Sequence, residues 1–171
     1  MENFSTTYII RHARENLKKC SLAPLERTQE NLEKFIFFTY PCCVQGKEVL
    51  PCFDNHVILD IEGEPLSERD ATKGIILIDA TWRLACKMLK NIPQLAPLPR
   101  RSFPKGFKTA YPRRQLDCPD VESGLASIEA LYIAFALLGR PVEFLLDGYI
   151  WKEQFLEKNT FQLINKTATI Y

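Results

Sequence analysis

The chain has 171 residues, 46% of them hydrophobic, with 22 basic and 21 acidic side chains and a net charge of +1. This length fits one domain with a sizeable core, and 11 Phe, 6 Tyr and 2 Trp exclude a disordered chain. Near-neutrality excludes wholesale electrostatic binding to DNA, no apolar run approaches the roughly 18 residues of a membrane span, and Met1 to Thr7 lacks both parts of a secretory signal; a cytoplasmic protein without a membrane partner is expected.

Taken in chain order, Tyr8 to Arg11 reads as a short strand, and Pro24 to Lys34 as a helical stretch. Phe35 to Tyr40 is an apolar strand closed by Pro41. Val57 to Asp60 is a third strand, ended by the turn-like Glu62-Gly63-Glu64-Pro65. Gly74 to Ile78 is unbroken and apolar, as in a central parallel strand covered on both faces. Thr81 suits the N-cap of a helix that runs to about Lys90, before Pro93. Pro93 to Pro112 is proline-rich and basic, and is expected to be irregular apart from a short strand near Arg101 to Phe103. Ile128, Leu131, Tyr132, Phe135 and Leu138 restore the helical period until Gly139-Arg140-Pro141. Val142, Leu145, Leu146 and Tyr149 predict a last amphipathic helix carrying Trp151. Alternating strands and helices define an α/β domain with a mostly parallel sheet and no internal boundary.

Six cysteines (Cys20, Cys42, Cys43, Cys52, Cys86 and Cys118) form no Cys-x-x-Cys pair and are joined by only two histidines, His12 and His56. No metal is expected, and the thiols read as reduced, partly buried small hydrophobes.

Charge is distributed unevenly. Between Arg83 and Leu116 there are nine Lys or Arg and no Asp or Glu, which leaves 13 basic against 21 acidic residues elsewhere. Within this stretch Arg100, Arg101, Lys105, Lys108, Arg113 and Arg114 are interleaved with Phe103, Phe107 and Tyr111. Such a mixture suits phosphate contacts and base stacking, and uncompensated cations repel one another unless a polyanion neutralises them.

Asp79 ends the central strand and Thr81-Trp82 opens the next helix, so the corner sits at the carboxyl edge of a parallel sheet, where open α/β sheets bind ligands. Asp79 also fits a helix cap, and Trp82 a core position. Near the N-terminus, Arg14 and Lys18 could meet an anion and Ser21 could hydrogen-bond. Glu129, close to a helix start, suits the helix dipole. There is no P-loop, Gly-x-Gly-x-x-Gly or nucleophile elbow.

Four segments in order carry a resemblance: His12-Ala13-Arg14-Glu15 with Lys18 and Ser21; Asp79-Ala80-Thr81-Trp82; Tyr111-Pro112-Arg113-Arg114-Gln115; and Leu125-Ala126-Ser127-Ile128-Glu129-Ala130. Over about residues 8 to 158 the chain resembles the DTW-domain proteins, RNA aminocarboxypropyltransferases whose namesake core here reads Asp79-Ala80-Thr81-Trp82. The resemblance implies a single SPOUT-like domain with a C-terminal trefoil knot and S-adenosylmethionine as donor, without a metal. It implies transfer of a 3-amino-3-carboxypropyl group to N3 of a uridine in tRNA or small-subunit rRNA. The cysteine-rich knuckle of many relatives is missing, and the short N-terminus tilts the expectation toward tRNA.

Carried over residue by residue, the resemblance places Ser21 at the methionine part of the donor, Ile78 at its ribose and Trp82 on its side chain. Leu125 would line the adenine pocket, with Phe103 and Ser127 in the same donor-binding set. Asp79 would sit at the reacting centre as general base. Arg14, Lys18, Arg100, Arg101, Lys105, Lys108, Arg113 and Arg114 would face RNA. A SPOUT-type RNA methyltransferase and a non-catalytic RNA-binding module are the alternatives, and oligomeric state is left open.

Overall fold

The computed structural model describes residues 6–112 and 124–167. Five strands, β1 (Thr7–His12), β2 (Phe35–Tyr40), β3 (His56–Pro65), β4 (Gly74–Asp79) and β5 (Arg100–Ser102), form one sheet in the order β2-β1-β4-β3-β5. All four neighbouring pairs are parallel. Four α-helices accompany them among the described residues: α1 (Gln29–Lys34), α2 (Trp82–Asn91), α3 (Ser127–Leu137) and α4 (Lys152–Thr167).

Strand alternation divides the core in two. Ile9, Val57, Leu59, Ile75 and Leu77 point to the face covered by α3 and Phe155 of α4. Ile10, Ile58 and Ile76 point to the opposite face, against Met88 and Ile92 at the end of α2. β4 lies between β1 and β3, so both its faces are covered, which is why its sequence is apolar without alternation. α3 is likewise apolar nearly all round: Ile128, Leu131, Ile133 and Ala134 are fully buried between the sheet and α4. Each such Leu or Ile contributes about 1.5–3 kcal/mol relative to exposure.

Three expectations about elements are corrected. The stretch Pro24 to Lys34 is not one helix: a 3₁₀ segment, Ala23–Arg27, is followed by Thr28, whose extended backbone and side chain cap α1 separately. β3 does not stop at Asp60 but runs to Pro65, with a register shift between Leu59 and Glu64 where it follows β5. Gly63, with φ +102°, lies so close to Arg100 that a Cβ would collide with that carbonyl oxygen. The helix expected from Val142 is absent; residues 142–151 make turns that bury Leu145, Leu146 and Tyr149, and α4 starts only at Lys152. A short strand near Arg101 is found at Arg100–Ser102.

Cys20, Cys42, Cys43, Cys52 and Cys86 are free thiols; Cys52 and Cys86 are exposed, contrary to the expectation of partial burial. Cys118 lies outside the described residues. Among those residues no three His, Cys, Asp or Glu side chains are grouped to hold a metal ion, and no helix is long and apolar enough to cross a membrane.

Candidate active site

Parallel strands end at the same edge of the sheet, and here that edge opens into a cavity of about 740 Å³. Its floor is Leu59 of β3, Leu77 and Ile78 near the end of β4, and Ala80 just beyond it. One wall is α2, through Trp82, Ala85, Cys86, Leu89 and Lys90; the other is the start of α3, through Leu125, Ser127 and Ala130. The segment after β5 closes it with Phe103 and Phe107, whose rings meet edge to face at 6.5 Å. Five of the six residues expected to bind the donor (Ile78, Trp82, Phe103, Leu125 and Ser127) therefore line one cavity although they span 50 positions of sequence. Ser21 does not line it. Its hydroxyl accepts the backbone N–H of Ile128 at 3.2 Å and so holds the first turn of α3.

Asp79 lies buried behind the cavity lining. It is 3% exposed, is not among the cavity-lining residues, and has both carboxylate oxygens engaged. Oδ1 accepts the hydroxyl of Ser127 at 2.8 Å. Oδ2 accepts Nε of Arg11 at 2.8 Å and the thiol of Cys20 at 3.4 Å. Arg11 and Asp79 stand opposite each other in the β1–β4 register, which puts their side chains on the same face. Arg11 also pairs with Glu26 at 2.7 Å and lies over Phe37. Burial opposes its charge, yet the hydrogen bond to Asp79 and the nearby negative groups hold the guanidinium above its ordinary range. Burial, then the charge of Asp79, pushes the Cys20 thiol up to about 12, so it is a neutral donor. Asp79 thus ties the N-terminal loop, β4 and α3 together beneath the cavity.

A second buried carboxylate holds the other side. Glu129 is 0% exposed and accepts four hydrogen bonds. Oε1 takes the N–H of Ala110 and the hydroxyl of Tyr149, both at 2.9 Å; Oε2 takes the hydroxyl of Thr109 at 2.7 Å and the N–H of Ala126 at 2.8 Å. Asn159 of α4 grips both the N–H and the carbonyl of Lys108, at 2.8 and 2.9 Å. The hydroxyl of Tyr111 reaches the carbonyl of Lys19 at 2.9 Å. The segment 107–111 is thereby fixed between α3, α4 and the N-terminal loop. Arg11, Cys20, Asn159 and Tyr149 do not stand out in the sequence as part of a site, and Glu129 stands out only within the Leu125–Ala130 motif and as a residue suited to the helix dipole. Only the strand register could have linked Arg11 to Asp79, and Glu129 carries no local sign of its distant partners.

The basic stretch is less free than its composition implies. β3–β5 pairing brings Asp60 and Glu62 to Arg100, at 3.1 Å and 3.4 Å, and the 3₁₀ turn after β3 brings Asp70 to Arg101 at 2.9 Å. Asp70 is 1% exposed, so the Arg101 guanidinium is held by a buried carboxylate. Arg100 and Lys105 line the cavity. Arg14, Lys18 and Lys108 are exposed away from the cavity lining. Arg113 and Arg114 lie outside the described residues.

These features define an α/β protein with a ligand-sized crevice outside the carboxyl ends of parallel strands, walled by the N-terminal turns of two helices. The chain belongs to the DTW domain family, whose model matches residues 2–158. Its fold is similar to the solved structure of the SAM-dependent rRNA:acp-transferase Tsr3 from Vulcanisaeta distributa, with a TM-score of 0.69 and 21% sequence identity, over 96% of this chain and 83% of that one. No curated protein sequence matches the chain.

Proposed function

We propose that the chain transfers a 3-amino-3-carboxypropyl group from S-adenosylmethionine to N3 of a uridine in RNA. The observation that carries this reading is the convergence of Ala80 and Trp82 with Leu125 and Ser127 on one cavity, with Asp79 hydrogen-bonded to Ser127 behind it. The residues fit the donor. The cavity volume of about 740 Å³ is in the range of small-molecule sites. Its apolar faces suit an adenine, and the indole N–H of Trp82 is buried without a hydrogen-bond partner among the described residues. Thr81 caps α2 only by position, without a side-chain bond, which leaves the first N–H groups of that helix available to a carboxylate.

When bound, the donor supplies a sulfonium-activated carbon on its methionine side. The chain's own residues do the rest. Trp82 and Leu125 orient the donor so that this carbon, rather than the methyl group, faces the nucleophile. The C–S bond breaks as the N3–C bond forms, and the imide proton has to leave. Ser127 faces the cavity and donates to Asp79, so its hydroxyl takes the N3 proton while passing its own to Oδ1. Asp79 is then the base one step removed, and Arg11 holds it in place.

The finer parts belong to the same proposal: a SPOUT-like domain with a trefoil knot, a cytoplasmic location, and tRNA as substrate. Ribosomal RNA is the second substrate reading, favoured by the Vulcanisaeta neighbour, an rRNA:acp-transferase. The test is incubation of the protein with RNA and S-adenosylmethionine, followed by identification of the by-product. Methylthioadenosine is expected. S-adenosylhomocysteine would make the protein a methyltransferase, and no by-product together with RNA binding would make it a binding module.

A further inference from the structure

Arg100 and Arg101 are paired with acids, which leaves Lys105 and Lys108 as the exposed cations of that segment without an ion pair among the described residues; α2 carries a longer series. α2 reads Trp-Arg-Leu-Ala-Cys-Lys-Met-Leu-Lys-Asn and contains no acid. Its apolar side is seated by Met88, fully buried, while Arg83, Lys87 and Lys90 are exposed. Their spacing of i, i+4 and i+7 puts the three on one side of the helix, over an axial length of about 10 Å. None of the three forms an ion pair among the described residues.

This stripe lies beside the cavity mouth and does not end with the helix. Lys90 and its neighbour Cys86 line the cavity wall. At the other side the N-terminal loop meets the end of α2 through His12, whose pKa is pushed down by burial and then by the positive charges of Arg14 and Lys87. His12 packs against Tyr40, whose hydroxyl accepts from Asn91 at 3.0 Å, so the junction is built from ordered contacts. Three cations of α2 therefore stand beside one lip of the crevice with no acid interposed from α2, and the loop that carries Arg14 joins the far end of the helix.

We propose that Arg83, Lys87 and Lys90, extended by Arg14, form a track for the RNA phosphate backbone along α2, next to the opening through which a base enters. This rests on the RNA reading above and adds where the strand runs. Of the residues expected to face RNA, the track keeps Arg14 and adds three cations of α2, so that the main electrostatic contact runs along the α2 wall. Phosphate contacts of this kind position a strand without reading its sequence. The track therefore sets affinity and salt dependence, and the cavity selects the base.

The test compares wild type with an Arg83→Gln/Lys87→Gln/Lys90→Gln variant, titrated with a labelled RNA hairpin carrying uridines in its loop over a series of salt concentrations. All three positions are exposed and glutamine is a good helix former, so the melting temperature should not move. Each lost contact to single-stranded phosphate should flatten the log K versus log salt line by about 0.7, so the variant's slope should be shallower by about 2. Lys34→Gln, which removes a cation already paired with Glu30, should leave the slope alone. A variant with wild-type affinity and slope overturns the track and leaves the RNA reading standing. Wild-type protein that binds S-adenosylmethionine but not the hairpin at any salt overturns both.

Discussion

Glu129→Gln changes one atom, and the structure dictates a large cost for it. Each carboxylate oxygen of Glu129 accepts one backbone N–H and one hydroxyl: Ala110 and Tyr149 on Oε1, Ala126 and Thr109 on Oε2. The hydroxyls can turn, but the backbone N–H groups cannot. Whichever way the new amide sits, its NH₂ therefore faces a fixed N–H donor. Thr109 has little room to adapt, because its hydroxyl already accepts the N–H of Tyr111 at 3.0 Å. Losing one hydrogen bond to a charged group, while burying an unsatisfied donor, costs about 3 kcal/mol. For a chain of this size that lowers the melting temperature by roughly 6–12 °C. The released parts are the segment 108–111 and the start of α3, where Leu125 and Ser127 line the cavity, so donor affinity should fall as well. Thermal melting and calorimetric titration with S-adenosylmethionine read the two effects. A Glu129→Gln protein as stable as wild type would refute the assignment of Glu129 as the buried lock.

Arg101→Gln should cost about 3 kcal/mol, because it strips a buried carboxylate, Asp70, of its main partner, while RNA affinity stays at the wild-type value. A loss of RNA binding without loss of stability would contradict this. Trp82→Ala should weaken S-adenosylmethionine binding by on the order of tenfold, the worth of a well-placed aromatic contact, and calorimetry showing unchanged affinity would remove it from the donor site. Both histidines are pushed down by burial, His12 also by Arg14 and Lys87. Their folded-state values lie below the unfolded ones, so as pH falls below about 6.5 the unfolded chain takes up protons first and the fold loses stability. The slope is at most about 1.4 kcal/mol per pH unit per histidine. Urea midpoints that do not move between about pH 7.5 and 5.5 would refute it.

What the sequence made legible was local. β2 and β4 are continuous apolar runs, and their limits follow from Pro41 and from the polar corner at Asp79. The motif Asp79-Ala80-Thr81-Trp82 pointed to the carboxyl edge of the sheet, where the cavity lies. What failed depended on partners far away in the chain. β3 continues past Asp60 because β5, 40 residues later, supplies its pairing. The apolar spacing from Val142 to Tyr149 fits a helix as well as it fits turns, and only Gly148, with φ +77°, shows that the chain bends there. The stretch from Arg83 to Leu116 contains no acid, yet Asp60 and Glu62 reach it through strand pairing and Asp70 from the 3₁₀ turn that follows β3. Asp79 was placed at the reacting centre by the family pattern; Arg11, Cys20 and Ser127, which enclose it, come from three separate parts of the chain.

The central claim is that a crevice between α2 and α3 delivers an aminocarboxypropyl group to a uridine of RNA. Mass spectrometry of nucleosides from fractionated RNA of cells with and without the gene tests it most directly. The account predicts that aminocarboxypropyl-uridine disappears from one RNA class and returns with the wild-type gene but not with Ser127→Ala. An unchanged aminocarboxypropyl-uridine content, or loss of a methylated nucleoside in its place, would contradict it.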